Sequence, residues 1–234
     1  MALKTFIDFD GTITTEDTGD AFFLRFGSPE CSRIVREYRE GRISARECFR
    51  REAAEIRSLP LEEADAFARS RTLTPGFREF VGFCRGQGLM IHVVSDGLDF
   101  YIERVFASHG IEGVPFTSNR LVTDPVGVVF PHSAEDCDRC ACCKRNVILG
   151  LAGEEDIIAY IGEGYSDRCA AQYADIVFAK DELQRYCQKE NISYYPYTDF
   201  HDILFRYRQL CARRRLRKRR RAELRRREAF ACEA

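Results

Sequence analysis

Apolar positions along the chain alternate between two periods, and the changes of period mark out the elements. Residues 4–10 read Lys-Thr-Phe-Ile-Asp-Phe-Asp, a β-branched and aromatic run halted by Gly11, which predicts a buried strand running into a glycine loop. From about Thr15 to Thr74 the pattern turns helical: Ser44 and Glu47 have capping-box spacing, Gly41 stops the helix before them, and Pro60 suits the first turn of another. Thr74-Pro75 then opens a helix with Phe77, Phe80, Val81 and Cys84 on one face, and Gly88 follows as a stop. Residues 90–94 predict the next strand. Leu98, Ile102, Val105 and Phe106 share a face of a helix ending at Gly110, and residues 116–131, with Asp124-Pro125 and Gly127, suggest a β-hairpin. A helix over 144–151 and strands over 157–161 and 176–178 complete the pattern, without internal repeats.

Strands alternating with helices predict an α/β fold: a doubly wound, Rossmann-like parallel sheet whose sites form where loops leave the carboxyl ends of the strands. The helical insert divides the chain into a core of residues 1–14 and 75–203, a helical cap of 15–74 and an extension of 204–234. A length of 234 residues and an apolar fraction of 45% suit such a core without disulfides or structural metal.

Charge is unevenly distributed. Residues 206–234 hold 13 Lys+Arg and 3 Asp+Glu, a net +10, against −11 for the rest of the chain. The segment from Arg213 to Arg227 reads as a solvated helix or frayed extension, with an electrostatic surface for anions or docking on a neighbouring acidic body as alternatives. No apolar run approaches the roughly 18 residues that span a bilayer, so no membrane partner is expected. Lys4, Asp8 and Asp10 interrupt the N-terminal run where a secretory signal would be apolar. Eleven irregularly spaced cysteines suit a reducing compartment, and the chain is expected to be cytoplasmic.

The chemistry starts at Asp8 and Asp10. Two residues apart on a strand end, their carboxylates project to the same side, and such a pair suits Mg²⁺, which takes one or two carboxylates along with water and phosphate oxygens. Alone the pair reads equally well as a solvated strand end. Ser95 closes the second strand, Lys144 opens a helix, and Gly162-Glu-Gly-Tyr-Ser-Asp167 follows the strand at 157–161, all at element ends. In this order and spacing the segments resemble the four motifs of haloacid dehalogenase superfamily phosphatases, from Lys4 to about Ile203. The helical insert between the first two motifs is similar to that of the phosphoserine-phosphatase-like subfamily.

The resemblance implies a Mg²⁺-dependent phosphatase. Asp8 would be the nucleophile forming a phospho-aspartate, and Asp10 the group that protonates the leaving oxygen and later activates water. Ser95 would hydrogen-bond a phosphoryl oxygen and Lys144 would neutralise charge in the transition state. Gly11, Thr12, Ser95, Asp96, Gly97 and Asp17 are the implied substrate-binding residues, and Asp8, Asp10, Glu163 and Asp167 the implied metal site. Glu163 departs from the family's usual aspartate, and its extra methylene displaces the carboxylate.

Residues 94–101, Cys137 to Lys144, 178–183 and 196–200 most resemble the methionine-salvage branch, phosphatases of 2-hydroxy-3-keto-5-methylthiopentenyl 1-phosphate. Phosphoethanolamine/phosphocholine phosphatases are relatives with a cysteine-containing third motif, and phosphoserine is the alternative substrate. The expected partner is thus a small phosphorylated metabolite; no nucleic acid is expected, although the basic tail over 213–227 leaves one open, and a homo-oligomer is an open alternative. Within the helical insert Phe22, Phe23, Arg46, Arg50 and Arg51 are candidates for substrate selection, the phenylalanines equally for core contacts and the arginines for a solvated face. Cys137, Cys140, Cys142 and Cys143 could bind metal, form a redox disulfide or pack a loop as thiols. His92 and His132 are not expected to be ligands.

Overall fold

The structure, a computed structural model, describes residues 2–135, 137 and 140–232. Its first half comprises β1 (Leu3–Ile7), α1 (Thr18–Phe26), α2 (Glu30–Arg39), α3 (Ala45–Ala54), α4 (Leu61–Arg69), α5 (Phe77–Gly86), β2 (Met90–Leu98) and α6 (Asp99–Ser108). There follow β3 (Phe116–Thr123), β4 (Val126–Val129), α7 (Lys144–Leu151), β5 (Ile157–Gly162), α8 (Arg168–Tyr173), β6 (Ile176–Ala179), α9 (Asp181–Lys189), β7 (Tyr195–Pro196), α10 (Phe200–Cys211) and α11 (Arg220–Cys232). Two compact units result: Met1–Asp8, Leu73–Val93 and Lys144–Ala234 form one, Phe9–Thr72 and Val94–Cys143 the other. Among the described residues no helix is long and apolar enough to cross a membrane.

In the first unit the strand order is β2-β1-β5-β6-β7, every pairing parallel. All six residues of β5 and all four of β6 are buried, as expected of a sheet covered on both faces. The register Ile7↔Ile161 brings β1 and β5 to their carboxyl ends in step, so Asp8 and Gly162 leave the sheet together. Helix α10 closes one face: Tyr207 packs against Phe80 and Phe178 with ring centroids 4.8 and 5.4 Å away, while its hydroxyl shares a 2.9 Å hydrogen bond with Thr5 Oγ1.

The C-terminal segment is helical over α10 and α11 and, although most of its arginines are exposed, it is tied to the first unit at particular side chains. Helix α10 runs across residue 204 with Phe200, Ile203, Leu204, Tyr207 and Leu210 buried, and α11 is seated on the same unit through its own arginines. Arg226, 3% exposed, pairs with both oxygens of buried Asp175 at 3.0 Å, and Arg219 donates to the carbonyls of Ala171, Gln172 and Ala174 at the end of α8. Periodicity missed this because the docking groups are charged: a guanidinium satisfies a helix C-terminus and a buried carboxylate without any apolar stripe.

The second unit collects α1–α4, α6, the C-terminal half of β2 and the antiparallel pair β3/β4, which is the expected hairpin. Ser44 caps α3 by accepting from the Glu47 N–H. Phe22 and Phe23 are fully buried; around Phe22 stand the rings of Phe23, Phe26, Phe67, Phe100 and Tyr101 at 5.0–6.2 Å.

Candidate active site

Asp8 sits just past β1, its N–H donating to the Ile161 carbonyl at 2.9 Å, and only 5% of it is exposed. Lys144, the first residue of α7, is 2% exposed and aims its ammonium at three oxygens: Asp8 Oδ1 and Asp167 Oδ1 at 2.6 Å each and Ser166 Oγ at 3.0 Å. A buried ammonium persists when every proton has an acceptor and a counter-charge is at hand; here two carboxylates and the Ser166 hydroxyl are the acceptors, and the carboxylates are the counter-charge.

Asp167 is the hub that holds this lysine. Its Oδ1 also accepts from the Tyr160 hydroxyl, and its Oδ2 accepts from the backbone N–H groups of Glu163 and Gly164 at 2.9 Å. Burial, with the negative charge of Asp167 adding to it, pushes the Tyr160 phenol well above its ordinary pKa and keeps it a donor. Gly162 is required by close approach: a Cβ there would lie 2.5 Å from Asp167 Oδ2. Asp167 therefore supports the site from behind, both its oxygens engaged by protein donors, while half-buried Glu163 follows at the exit of β5.

Asp10 is organised within the other unit. Its Oδ1 accepts from the N–H groups of Thr18 and Gly19 at 3.1 and 3.3 Å, the first turn of α1, and its Oδ2 accepts from the hydroxyls of Tyr101 at 3.0 Å and Ser95 at 3.3 Å. A helix N-terminus pointed at a carboxylate is favourable both by hydrogen bonding and by its dipole. Tyr101 is fully buried, and desolvation followed by the charges of Asp10 and Asp17 holds its phenol well above the usual range. Gly97 makes the contact possible, since a Cβ there would fall 2.1 Å from the Tyr101 hydroxyl and 2.4 Å from Asp10 Oδ2. Ser95 Oγ in turn accepts from the Gly97 N–H at 2.8 Å.

The remaining sequence candidates each have a structural place. Gly11 turns the chain with φ of +67°, and Thr12 is buried in the loop it starts. Asp96, in β2, is tied to β3 and to the segment before α7: its Oδ1 accepts from the Cys142 N–H at 2.7 Å and its carbonyl from the Asn119 amide. Asp17 is exposed and caps α1 through the Asp20 N–H. The arginines of the insert are engaged by protein: Arg46 donates to the Cys137 carbonyl, Arg50 lies over the Phe130 ring at 5.4 Å and Arg51 pairs with Glu37 at 2.7 Å. Cys142 and Cys143 are buried ahead of α7, and His92 packs in β2 beside Phe6. Tyr101, Tyr160 and Ser166 were not singled out by the sequence reading. The available signal was a tyrosine inside an otherwise apolar face, whose hydroxyl must find a partner once buried.

A sequence model described as haloacid dehalogenase-like hydrolase matches residues 5–172. The chain belongs to that family. This family member is 31% identical over 215 residues to a 2-hydroxy-3-keto-5-methylthiopentenyl-1-phosphate phosphatase of Geobacillus kaustophilus (strain HTA426), covering 86% of this chain and 94% of the relative. It is 30% identical to the protein of the same description from Lysinibacillus sphaericus (strain C3-41), over 85% and 91% of the two chains. A phosphoserine phosphatase structure holding an analogue of the phospho-aspartyl intermediate superposes with a TM-score of 0.63 at 20% identity, over 88% of this chain and 98% of the other. The chain is thus a haloacid dehalogenase-like enzyme with the phosphoserine-phosphatase type of fold, and the family resemblance read from its motifs holds.

The residue types around Asp8 fit a hard cation: Asp8 and Glu163 follow the ends of the adjacent strands β1 and β5, and both are oxygen donors. Among the described residues no group of three or more histidine, cysteine or acidic side chains is arranged to hold a metal ion.

Proposed function

We propose that the enzyme is a Mg²⁺-dependent phosphomonoesterase of a small metabolite, working through a phospho-aspartate on Asp8. The observation that carries this reading is the buried Lys144 ammonium 2.6 Å from the Asp8 carboxylate. A lysine so placed offers positive charge where a phosphoryl group on Asp8 would gather. Asp8 attacks phosphorus as the ester P–O bond breaks, and Asp10 delivers the proton that the leaving oxygen takes. Asp10, now ionised, accepts a proton from water, whose oxygen attacks the phosphorus of the phospho-aspartate and releases phosphate and free Asp8. Ser95 donates to a phosphoryl oxygen, and the Tyr101 hydroxyl keeps Asp10 oriented when Ser95 does so. Mg²⁺, held by Asp8 with Asp10 and Glu163, would screen the phosphate charge, and Asp167 supports that site by fixing Lys144 and the Glu163 loop.

For the substrate, identity near 30% over most of both chains favours 2-hydroxy-3-keto-5-methylthiopentenyl 1-phosphate. Phosphoserine, or phosphoethanolamine and phosphocholine, are the alternatives; phosphoserine carries a second anion, and Arg46, Arg50 and Arg51, the insert arginines that could meet one, are engaged within the protein. Phosphate release from these esters, with Mg²⁺ and with chelator, in the native chain and Asp8→Asn tests the proposal. Metal-dependent turnover lost in Asp8→Asn is expected, highest on the hydroxy-keto-pentenyl ester. Equal release from both proteins would overturn the mechanism, and higher turnover on an amine-bearing ester would overturn the substrate.

A further inference from the structure

The positive charge of the C-terminal segment is of two kinds. Lys218, Arg219 and Arg226 are engaged with the body: Lys218 donates to the Glu154 carbonyl at 2.8 Å, and Arg219 and Arg226 hold the end of α8 and Asp175. By contrast Arg213, Arg214, Arg215, Arg217, Arg220 and Arg225 are exposed, and their guanidinium groups make no hydrogen bond or ion pair among the described residues. The first four lie between α10 and α11 and the last two on α11, all in the same compact unit.

Keeping these guanidinium groups on one short stretch costs mutual repulsion that the chain does not relieve with its own carboxylates, although the rest of it carries a net −11. The segment is also not a loose arm. Tyr207 fixes α10 and the Arg226–Asp175 pair fixes α11, so the arginines are presented on a seated scaffold and a ligand has little chain left to order. Planar guanidinium groups match phosphate oxygens better than ammonium does, and the one lysine here is engaged with the body. No aromatic residue lies between Ala212 and Ala229, so the segment offers no platform for stacking the bases of a single strand.

We propose that this face binds the phosphodiester backbone of double-stranded nucleic acid, without reading its sequence, as a function separate from the phosphatase site. If all six arginines meet phosphates, log K against log salt falls with a slope of about −5, and replacing Arg213, Arg214 and Arg215 by glutamine brings it to about −3. The test is fluorescence anisotropy of the full chain with a short mixed-sequence DNA duplex, the matching single strand and phosphatidylserine vesicles, each over a salt series. Arg220→Gln/Arg225→Gln is the second variant, and unchanged thermal unfolding and phosphate release show that both variants are folded.

The expected result is duplex binding with the steep slope, weaker binding to the single strand, and a shallower slope in each variant. Duplex affinity unchanged in both variants, absence of duplex binding at low salt, preference for vesicles over duplex, or a salt-sensitive self-association that the variants abolish would each overturn the proposal.

Discussion

Asp167→Asn is the sharpest probe of the buried charge network. The carboxylate accepts four hydrogen bonds, from Lys144 and Tyr160 on one oxygen and from the N–H groups of Glu163 and Gly164 on the other. An amide of nearly the same shape offers one acceptor atom, so whichever way it turns, its NH₂ faces two donors. Two hydrogen bonds to a charged acceptor, each worth about 1.5–3 kcal/mol, are lost, and the residue is 0% exposed, so water does not replace them. Lys144 also loses one of its two counter-charges, and breaking a buried ion pair costs about 3–5 kcal/mol. We expect a loss in that range, against a total stability of about 5–15 kcal/mol. For a chain of this size the melting temperature should fall by roughly 10 °C. Urea and thermal unfolding followed by circular dichroism measure it. Tyr160→Phe should cost less, about 1.5 kcal/mol, and the double variant should cost less than the sum because both groups act on the same oxygen. A loss below about 1 kcal/mol in Asp167→Asn, or strict additivity with Tyr160→Phe, would refute the view that Asp167 holds Lys144 in place.

Two further outcomes are expected. Tyr101→Phe removes the donor 3.0 Å from Asp10 Oδ2 and should lower turnover of alkyl phosphates about 10- to 100-fold, the equivalent of one hydrogen bond to a charged group, with a smaller loss on aryl phosphates whose leaving group needs no proton. Equal losses on both ester types would contradict an acid/base positioning role for Tyr101. Glu52 in α3 is 4% exposed; burial first, then the charges of Asp20 and Asp17, push its pKa from 4.5 to about 8. The folded chain then holds a proton that the unfolded chain releases between those values, so stability falls as pH rises from about 4.5 to 8. Glu52→Gln removes that dependence and should stabilise the protein at pH 8 by a few kcal/mol but little at pH 4, read from urea unfolding at both; the same gain at both pH values would show that Glu52 does not titrate as described.

The order of elements was readable because it depends on local rules. The β1 run, the capping spacing at Ser44 and the face carrying Phe77, Phe80, Val81 and Cys84 are each fixed by the pattern of neighbours along the chain, and each is an observed element. The positions of Asp8 and Lys144 were legible for a related reason: at the end of β1 and the start of α7, polar side chains interrupt an apolar pattern and mark an edge. The hidden features all involve partners distant in sequence. Ser95 to Leu98 extends β2 beyond the expected Val94 because this stretch is paired and braced from afar, with Asn119 and Cys142 donating to Asp96. Tyr160 and Tyr101 look like core aromatics until their hydroxyls reach Asp167 and Asp10. The arginine-rich end looks solvated until Arg226 meets Asp175, 51 residues earlier in the chain. Hydrophobic periodicity and turn chemistry act over a few residues and are written in the sequence. Pairing of buried polar groups acts over a few ångströms between segments far apart in the chain, and only the tertiary structure decides which carboxylate each donor finds.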